Sequence, residues 1–579
     1  MVDFVRISQL PAATTSNLSD VYVVNQGTTT KKISGSVINA SQTVGTISAL
    51  RALAVESAKT VVVRGYYSNN DGGGGMFSAS STATPGTYVD NGGTVIVPTG
   101  GNGSVAWLRL FDGPISVKWF GARGNDSADD RPAIVAALSE ASNNDIFFPA
   151  GTYLINALIT LAGNGRRINL ANEAIIKRNF NADAMFLVTG SLWVFNGGQL
   201  NGNKSNFATT SNAGIFITGN NNSVQNMDVY DCKSHGLSID GDAGGGYDNK
   251  ILNNQIRTVD EVGVSQFKAR RSVITGNVIL DAGAEGITID VQTTGTRVAN
   301  NIIVACGRIG AVGGIGIDDA FYNTIADNLI AETKNSLPGI GFQCNAGFTY
   351  HNTVVGNNIV SNTGYGIWLK RTQIIPPYPG AGSFATSDWN TITGNQFQNN
   401  TLAPIRIEQD CTGNVLSGNS YDGNLPSIAA NAANNNRIDN GLITLRVSNS
   451  ITRTNVTGDG TVYQIPFDTV DLNRSATYNS TTGVFTAPVN GIYSLSAGAR
   501  CVGGGLHDFM AISIVTSKGT FSSGVDYTDE ANQNACVSGS IYLTSGDTVF
   551  VTVAVGGDTL TVDVSNDINY TFLTAVLLA

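Results

Sequence analysis

Two short signatures alternate along the middle of this chain, and together they leave few folds open. The first is a small residue followed by apolar residues at alternate positions: GIFIT at 214, GLSID at 236, GVSQF at 263, GITID at 286, GIGID at 314, GIGFQ at 339, GIWLK at 366 and PIRIE at 404. The second is an Asn just ahead of an apolar pair or triplet, at Asn254, Asn277, Asn301, Asn328, Asn358, Asn395 and Asn419. The period is roughly 22–30 residues, with one long insertion at 371–389, and periods of this size mean a solenoid. Each unit has room for two or three short β segments and too little helical pattern for a leucine-rich or ankyrin repeat. A parallel β-helix answers this pattern: one coil cannot bury its apolar face alone, so coils stack and close a common core. Asn stacked on Asn can share amide hydrogen bonds from coil to coil, which explains Asn at the bend.

Composition fits. The 68 glycines and a charged fraction of only 13% suit short strands and tight turns rather than amphipathic helices. A net charge of −10 without a long basic run argues against nucleic acid as a partner. Cys232, Cys306, Cys344, Cys411, Cys501 and Cys536 are scattered with no CxxC pair, and there are three His, so neither a metal site nor a cofactor is expected. The cysteines read as small buried apolar residues. The start, MVDFVRISQL, has Asp3 and Arg6 early and no apolar h-region, and no stretch is long enough to span a bilayer. Folding in a cytoplasm without a membrane partner is the expectation. An extracellular polymer would be met by another route, such as a particle released by lysis.

Four segments follow from the pattern. Residues 1–45 are polar, with one weak strand signal, VYVV at 21–24. Residues 46–115 are β-rich and Gly-rich, with YYSNNDGGGGMF, DNGGTVIVP and WLRL. The solenoid is expected over 116–440. It opens on a helix that Asp129 or Asp130 can cap, with Pro132 early and Ile134, Ala137 and Leu138 as its apolar stripe. FFPAGTYLI at 147–155 reads as the next strand. Residues 441–579 change character: GVFTAPVNGIYSLSAGAR and SGSIYLTSGDTVFVTV are alternating strands split by turns, which read as an antiparallel sandwich.

The repeats resemble the pectin-lyase-like right-handed β-helix superfamily. FGARGNDSADDRPAI at 120–134 is similar to the opening motif of phage tail proteins of that superfamily, with Arg123 and Asn125 in place of the usual Lys and Asp. The segment 66–119 is similar to the head piece ahead of that motif in tailspikes, and ISQLPAATT with YVV to their virion-binding start. In the last segment, Gly491, Tyr493, Gly546, Asp547 and the terminal TFLTAVLL resemble the jelly-roll domain shared by complement and tumour-necrosis-factor proteins. These resemblances imply an all-β homotrimer. It would join a virion tail or baseplate through 1–45, carry a catalytic or glycan-binding β-helix and end in a jelly roll for trimerisation or carbohydrate binding. They imply a bacterial surface polysaccharide (capsule, O-antigen or exopolysaccharide) as partner.

Side chains alternate in and out along a strand. Aligning the coils by their inward apolar pairs gives an outward column of Asp240, Phe267, Asp290, Asp318, Gln343, Lys370 and Glu408. A second outward column is Ser238, Ser265, Thr288, Gly316, Gly341, Trp368 and Arg406. Adjacent coils lie about 4.8 Å apart, so Asp290 and Asp318 should repel, and one pKa should rise. Glycosidic hydrolysis needs such a pair, one carboxyl protonated and one ionised. The catalytic candidates are Asp290, Asp318, Asp240 and Glu285. The Asp240/Asp290 pair would fit the wider, inverting gap, and close carboxyls favour retention. The substrate-binding candidates are Trp368, Asp319, Lys268, Arg270, Asp260, Glu261, Lys370 and Glu408. Alternatives stand beside each. Outward Asp can merely solubilise, Trp368 suits stacking on a sugar or burial under a trimer neighbour equally, and Lys268, Arg270 and Arg271 suit an acidic sugar or a solvated turn. QIIPPYPGAGSFATSDW at 373–389 is too long for a tight turn and suits a site or an interface.

Three functions compete. An endo-acting glycoside hydrolase, a polysaccharide depolymerase, leads. A lyase on the same scaffold would need a base, such as Lys268, and a neutraliser for a uronate. A non-enzymatic adhesin would bind glycan without shortening it.

Overall fold

Three-residue β segments separated by Asn and Gly bends set the architecture. The computed structural model describes residues 21–26, 29–34, 42–55, 59–140, 144–207, 213–310, 312–345, 347, 349–374, 382–422, 426–428, 436–438, 443–474, 476–503, 507–526, 532–559 and 561–578. They divide into two compact units, 1–216 with 221–233 and 217–220 with 234–579. The expected attachment segment, 1–45, lies largely outside the described residues. Within it, Val21–Gln26 pairs antiparallel with Thr29–Ser34.

The first unit holds a five-stranded sheet of Gln42–Val44, Thr60–Val63, Gly75–Ser81, Val105–Leu110 and Val95–Ile96, in that spatial order. Its core is Ile47, Leu50, Val61, Val63, Phe77, Ile96 and Trp107. Arg109 is buried there, and its guanidinium donates to the carbonyls of Gly73, Gly74 and Gly93. Parallel coils then begin at Ile115–Ser116, well ahead of the first legible repeat at 214.

The expected strand over 147–155 is two, Ile146–Phe148 and Gly151–Ile155, on different faces. Pro149 lacks an N–H for a ladder, and Gly151 turns the chain at φ +146. The helix spans Arg131–Leu138 with Ile134 and Ala137 buried. Asp130 sits at its N-cap position, but its carboxylate turns back to accept from Arg123 N at 2.6 Å and Gly124 N at 2.9 Å. Asp129 accepts from Arg131 N instead, at 3.1 Å.

The second unit holds parallel coils of three strands each. One face runs from Lys250–Leu252 to Arg437–Ile438, a second from Gln255–Arg257 to Ser420–Tyr421, and a third from Leu237–Asp240 to Ser427–Ile428. The Asn ladder forms with one correction: its fifth member is Asn357, not Asn358. Asn358 begins the strand Asn358–Val360, whereas every ladder residue immediately precedes its strand. Each ladder Nδ2 donates to the next Oδ1 at 2.9–3.0 Å, from Asn254 through Asn277, Asn301, Asn328, Asn357 and Asn395 to Asn419. A second ladder, which the sequence pattern does not predict, joins Asn323, Asn352, Asn390, Asn414 and Asn436.

Residues beyond the coils form two packed antiparallel sheets. The long strands Gly491–Val502 and Asn532–Leu543 pair in one, and Phe509–Thr516 pairs with Thr548–Gly556 in the other. Tyr493 is buried between them, with its hydroxyl on Val489 O at 2.9 Å. Tyr421 and Ile428, from the last coils, pack on this core. Five cysteines are buried as expected, but Cys536 is exposed, because it sits on the outward phase of Asn532–Leu543. No helix among the described residues is long and apolar enough to cross a membrane.

Candidate active site

The third face of the second unit carries the outward columns in the expected register. Asp240 pairs with Phe267, Phe267 with Asp290, Asp290 with Asp318, and Asp318 with Gln343. In the second column Gly316 pairs with Gly341, Gly341 with Trp368, and Trp368 with Arg406. The apolar partners Ile287, Ile289, Ile315 and Ile317 are fully buried, which forces the carboxylates outward. Gly316 and Gly341 let a neighbouring loop lie flat on the strands. A Cβ on Gly341 would come within 1.9 Å of Val312 O, and one on Gly316 within 3.1 Å of Glu285 Cγ.

That close approach builds an acidic pocket. Glu285 is 7% exposed and accepts from Val312 N at 2.7 Å. Burial pushes its carboxyl above the usual range against that hydrogen bond. Asp290 is pushed up to about 6 by burial and by the charges of Glu285 and Asp319, opposed by the Val291 N–H at 3.0 Å. Asp318 is pushed up to about 8 by burial and by the charges of Asp290 and Asp319. Asn345 donates to Asp318 from its backbone at 3.3 Å and from its side-chain amide, and Gln343 Nε2 approaches at 3.5 Å. Asp319 is 1% exposed, takes a left-handed turn at φ 49 and accepts from Gly347 N at 3.0 Å.

A cation and an indole flank these acids. Burial lowers the Lys370 ammonium pKa, against the charges of Glu408, Asp318 and Glu285. Its Nζ lies 4.5 Å from the centre of the Trp368 ring. Trp368 Nε1 donates to Glu408 Oε1 at 2.9 Å, and Tyr365 meets the indole edge-on at 5.2 Å. The other Glu408 oxygen accepts from Arg371 N at 2.8 Å.

The remaining candidates lie apart from this group. Asp240 accepts from Asp242 N at 2.7 Å, and Phe267 occupies the rung between it and Asp290. Lys268 is ion-paired with Asp242, and Arg270 lies 5.3 Å from the Tyr247 ring at the corner of the coil. Glu261 accepts from Ser234 Oγ and faces His235 Nδ1 at 3.7 Å, in the turn before the strand, which it shares with Asp260. Burial lowers the His235 pKa, against the Glu261 charge. Sequence reasoning missed Asn345, Val312 and Tyr365. Only Asn345 left a signal, as an amide two residues past the end of a column strand. Among the described residues, no group of three or more His, Cys, Asp or Glu is placed to hold a metal ion.

Known proteins share these parts. Residues 43–112 match the phage tail protein small four-stranded β-sheet domain, 190–330 the right-handed β-helix region and 449–573 the C1q domain. Residues 292–401 match the periplasmic copper-binding protein (NosD) family. The K2-specific capsule depolymerase of Klebsiella phage vB_KpnP_KpV74 is 38% identical over 102 residues, 17% of this chain. The chain spans 16% of the length of that relative. Full-length tailspike protein 2 from Escherichia coli O157:H7 bacteriophage CAB120 has the same fold, with a TM-score of 0.50 and 14% identity, covering 92% of this chain and 77% of that one. Its enzymatically active domain gives a TM-score of 0.50 and 14% identity, covering 92% and 86%. The chain thus carries stretches similar to a phage-tail β-sheet domain, a right-handed β-helix region and a C1q domain, and its fold is like that of these tailspike structures.

Proposed function

We propose that this chain is a phage tailspike that binds a bacterial surface polysaccharide and cleaves it within the chain by glycosidic hydrolysis. The observation that carries the proposal is the pair Asp290 and Asp318, on adjacent rungs, with carboxyls pushed up to about 6 and about 8. Near neutral pH such a pair holds one proton, the state in which one acid donates and the other stays charged. Asp318 gives its proton to the leaving glycosidic oxygen. Asp290 attacks the anomeric carbon and forms a glycosyl ester, which water then hydrolyses as Asp318 takes the proton back. A rung spacing of about 4.8 Å suits this retaining course better than a water-sized gap.

The surroundings have consistent roles. Asn345 and Gln343 orient Asp318. Lys370 offsets the cluster's charge, and Trp368, held by Glu408, offers a ring to the sugar. The phage-tail domain at 43–112 supports a place in the virion tail, with residues 1–45 as the attachment segment. The jelly roll over 441–579 secures a homotrimer in the same proposal.

The test is a panel of purified capsular, O-antigen and exopolysaccharides, scored by polymer mass. Shortening of one member without near-ultraviolet absorbance supports hydrolysis. An unsaturated, absorbing product would make the chain a lyase, and tight binding without shortening an adhesin.

A further inference from the structure

One corner of the coils in the second unit carries a second, aromatic surface beside the carboxylates. There Asp248 and Arg271 in the earlier coils, and Tyr322, His351 and Trp389 just ahead of Asn323, Asn352 and Asn390 of the second Asn ladder, take the left-handed conformation, with φ of 54–58°. In the earlier coils this position holds an ion pair, Arg271 on Asp248 at 2.7 Å. Three successive later coils hold rings, although bulky side chains disfavour that conformation. Tyr322 stacks on His351 with centroids 5.2 Å apart and 13° between planes. Phe321 stacks likewise on Tyr350, at 5.2 Å and 6°.

Trp389 lies on the backbone of Gly413, where a Cβ would come within 2.4 Å of the indole. Tyr322 and Trp389 are 58% and 56% exposed, so each offers ring surface to solvent. Beside them opens a cleft of about 400 Å³, lined among others by Gly347, Tyr350, Phe384, Thr386 and Trp389. Gly347, in the cleft wall, ties it to the carboxylate site by donating to Asp319 at 3.0 Å, and Asn345 two residues earlier donates to Asp318.

We propose that Tyr322, His351 and Trp389 form a second polysaccharide-binding platform, which holds pyranose rings of the polymer strand flanking the cleaved bond. This rests on the function proposed above for the carboxylate face. The C–H face of a pyranose carries positive edge charge that the negative face of an aromatic ring attracts. The stacked Tyr322–His351 pair and the indole of Trp389 on the next rung give aromatic surface along the solenoid. The polar Thr386–Asp388 pair, bonded at 2.7 Å, lies in the cleft wall where sugar hydroxyls need partners. An exposed aromatic patch of this kind marks a binding surface.

The test uses the full chain with D290N/D318N, so that polymer stays intact, on immobilised purified capsular polysaccharides. Adding Y322A/W389A should weaken binding about tenfold, the effect of losing two ring faces. Y322F/W389F, which keeps aromatic rings, should stay within about threefold. Sedimentation should give the same assembly state for all three. Equal affinity after ring removal would overturn the platform, as would loss of the assembly itself, which would make the corner a contact with a second copy. A D290N/D318N chain that still shortens polymer would defeat the hydrolytic chemistry alone, and the affinity comparison would still decide the platform.

Discussion

Asp290 and Asp318 face each other on neighbouring rungs of one parallel sheet, and the rungs on either side carry the uncharged Phe267 and Gln343. Within the column the two acids have no further charged neighbour, while Glu285 and Asp319 add like-charge repulsion from outside it. With Asp290 ionised and Asp318 protonated in the working state, kcat/KM should rise with pH through about 6 and fall through about 8. A pH series of polymer cleavage checks this bell. An activity still climbing at about pH 10 would rule out Asp318 as the acid.

The same two groups predict a stability trend. Both folded pKa values lie above the ordinary 3.8, so the folded chain binds these protons more tightly than the unfolded one. Their contribution is full below about pH 4 and is lost as pH rises through about 6 for Asp290 and about 8 for Asp318. D290N/D318N should therefore gain on the wild type as pH rises, by several kcal/mol at alkaline pH. Denaturant unfolding at acidic and alkaline pH measures it, and a difference independent of pH would count against the buried pair.

Neighbouring asparagines give a sharper structural test. Asn357 is fully buried and bonds both along its ladder and to Ile325 O at 2.9 Å, whereas Asn358 starts a strand on its outward phase. N357A should destabilise the chain by roughly 2–4 kcal/mol through stranded ladder groups, and N358A by less than about 1 kcal/mol. Thermal melts of the two variants decide it. Equal losses would mean that the ladder does not govern coil stability.

The carboxylate pair is legible in the sequence because a parallel coil repeats its register, so strand alternation alone assigns each outward residue. Glu285 is a catalytic candidate there, but its burial is not legible. Its burial depends on two glycines and on a loop around Val312 that no strand pattern reports. The second ladder is hidden because unlike residues, Tyr322, His351, Trp389 and Gly413, occupy the bend ahead of its positions, masking the common turn. At 373–389 the long loop is partly a hairpin, with Arg371–Gln373 against Phe384–Asp388, and 375–381 lies outside the described residues. In the NNI run at 357–359 one bend and one strand residue share an identity, so periodicity misassigns the ladder by one position.

Truncation tests the assembly. Tyr421 and Ile428 bury part of their surface on the sandwich core, so removing 441–579 exposes the last coil and should dissolve the proposed trimer. Sedimentation should show a trimer for the full chain and monomers or aggregates for the truncation. A soluble trimer without the sandwich would move the assembly contact to the coils. Removing 1–45 should leave glycan cleavage intact, and a large loss of cleavage in that truncation would contradict its attachment role.

Polymer mass after incubation with wild type and with D290N, D318N and D290N/D318N tests the proposed chemistry most directly. The wild type should shorten one bacterial polysaccharide, each single variant should lose at least about 10²-fold in rate, and the double variant should lose no more than the worse single. All should keep their fold, since both side chains face outward from strands whose inward residues are fully buried. A folded double variant that cleaves at near wild-type rate would contradict the assignment of Asp290 and Asp318.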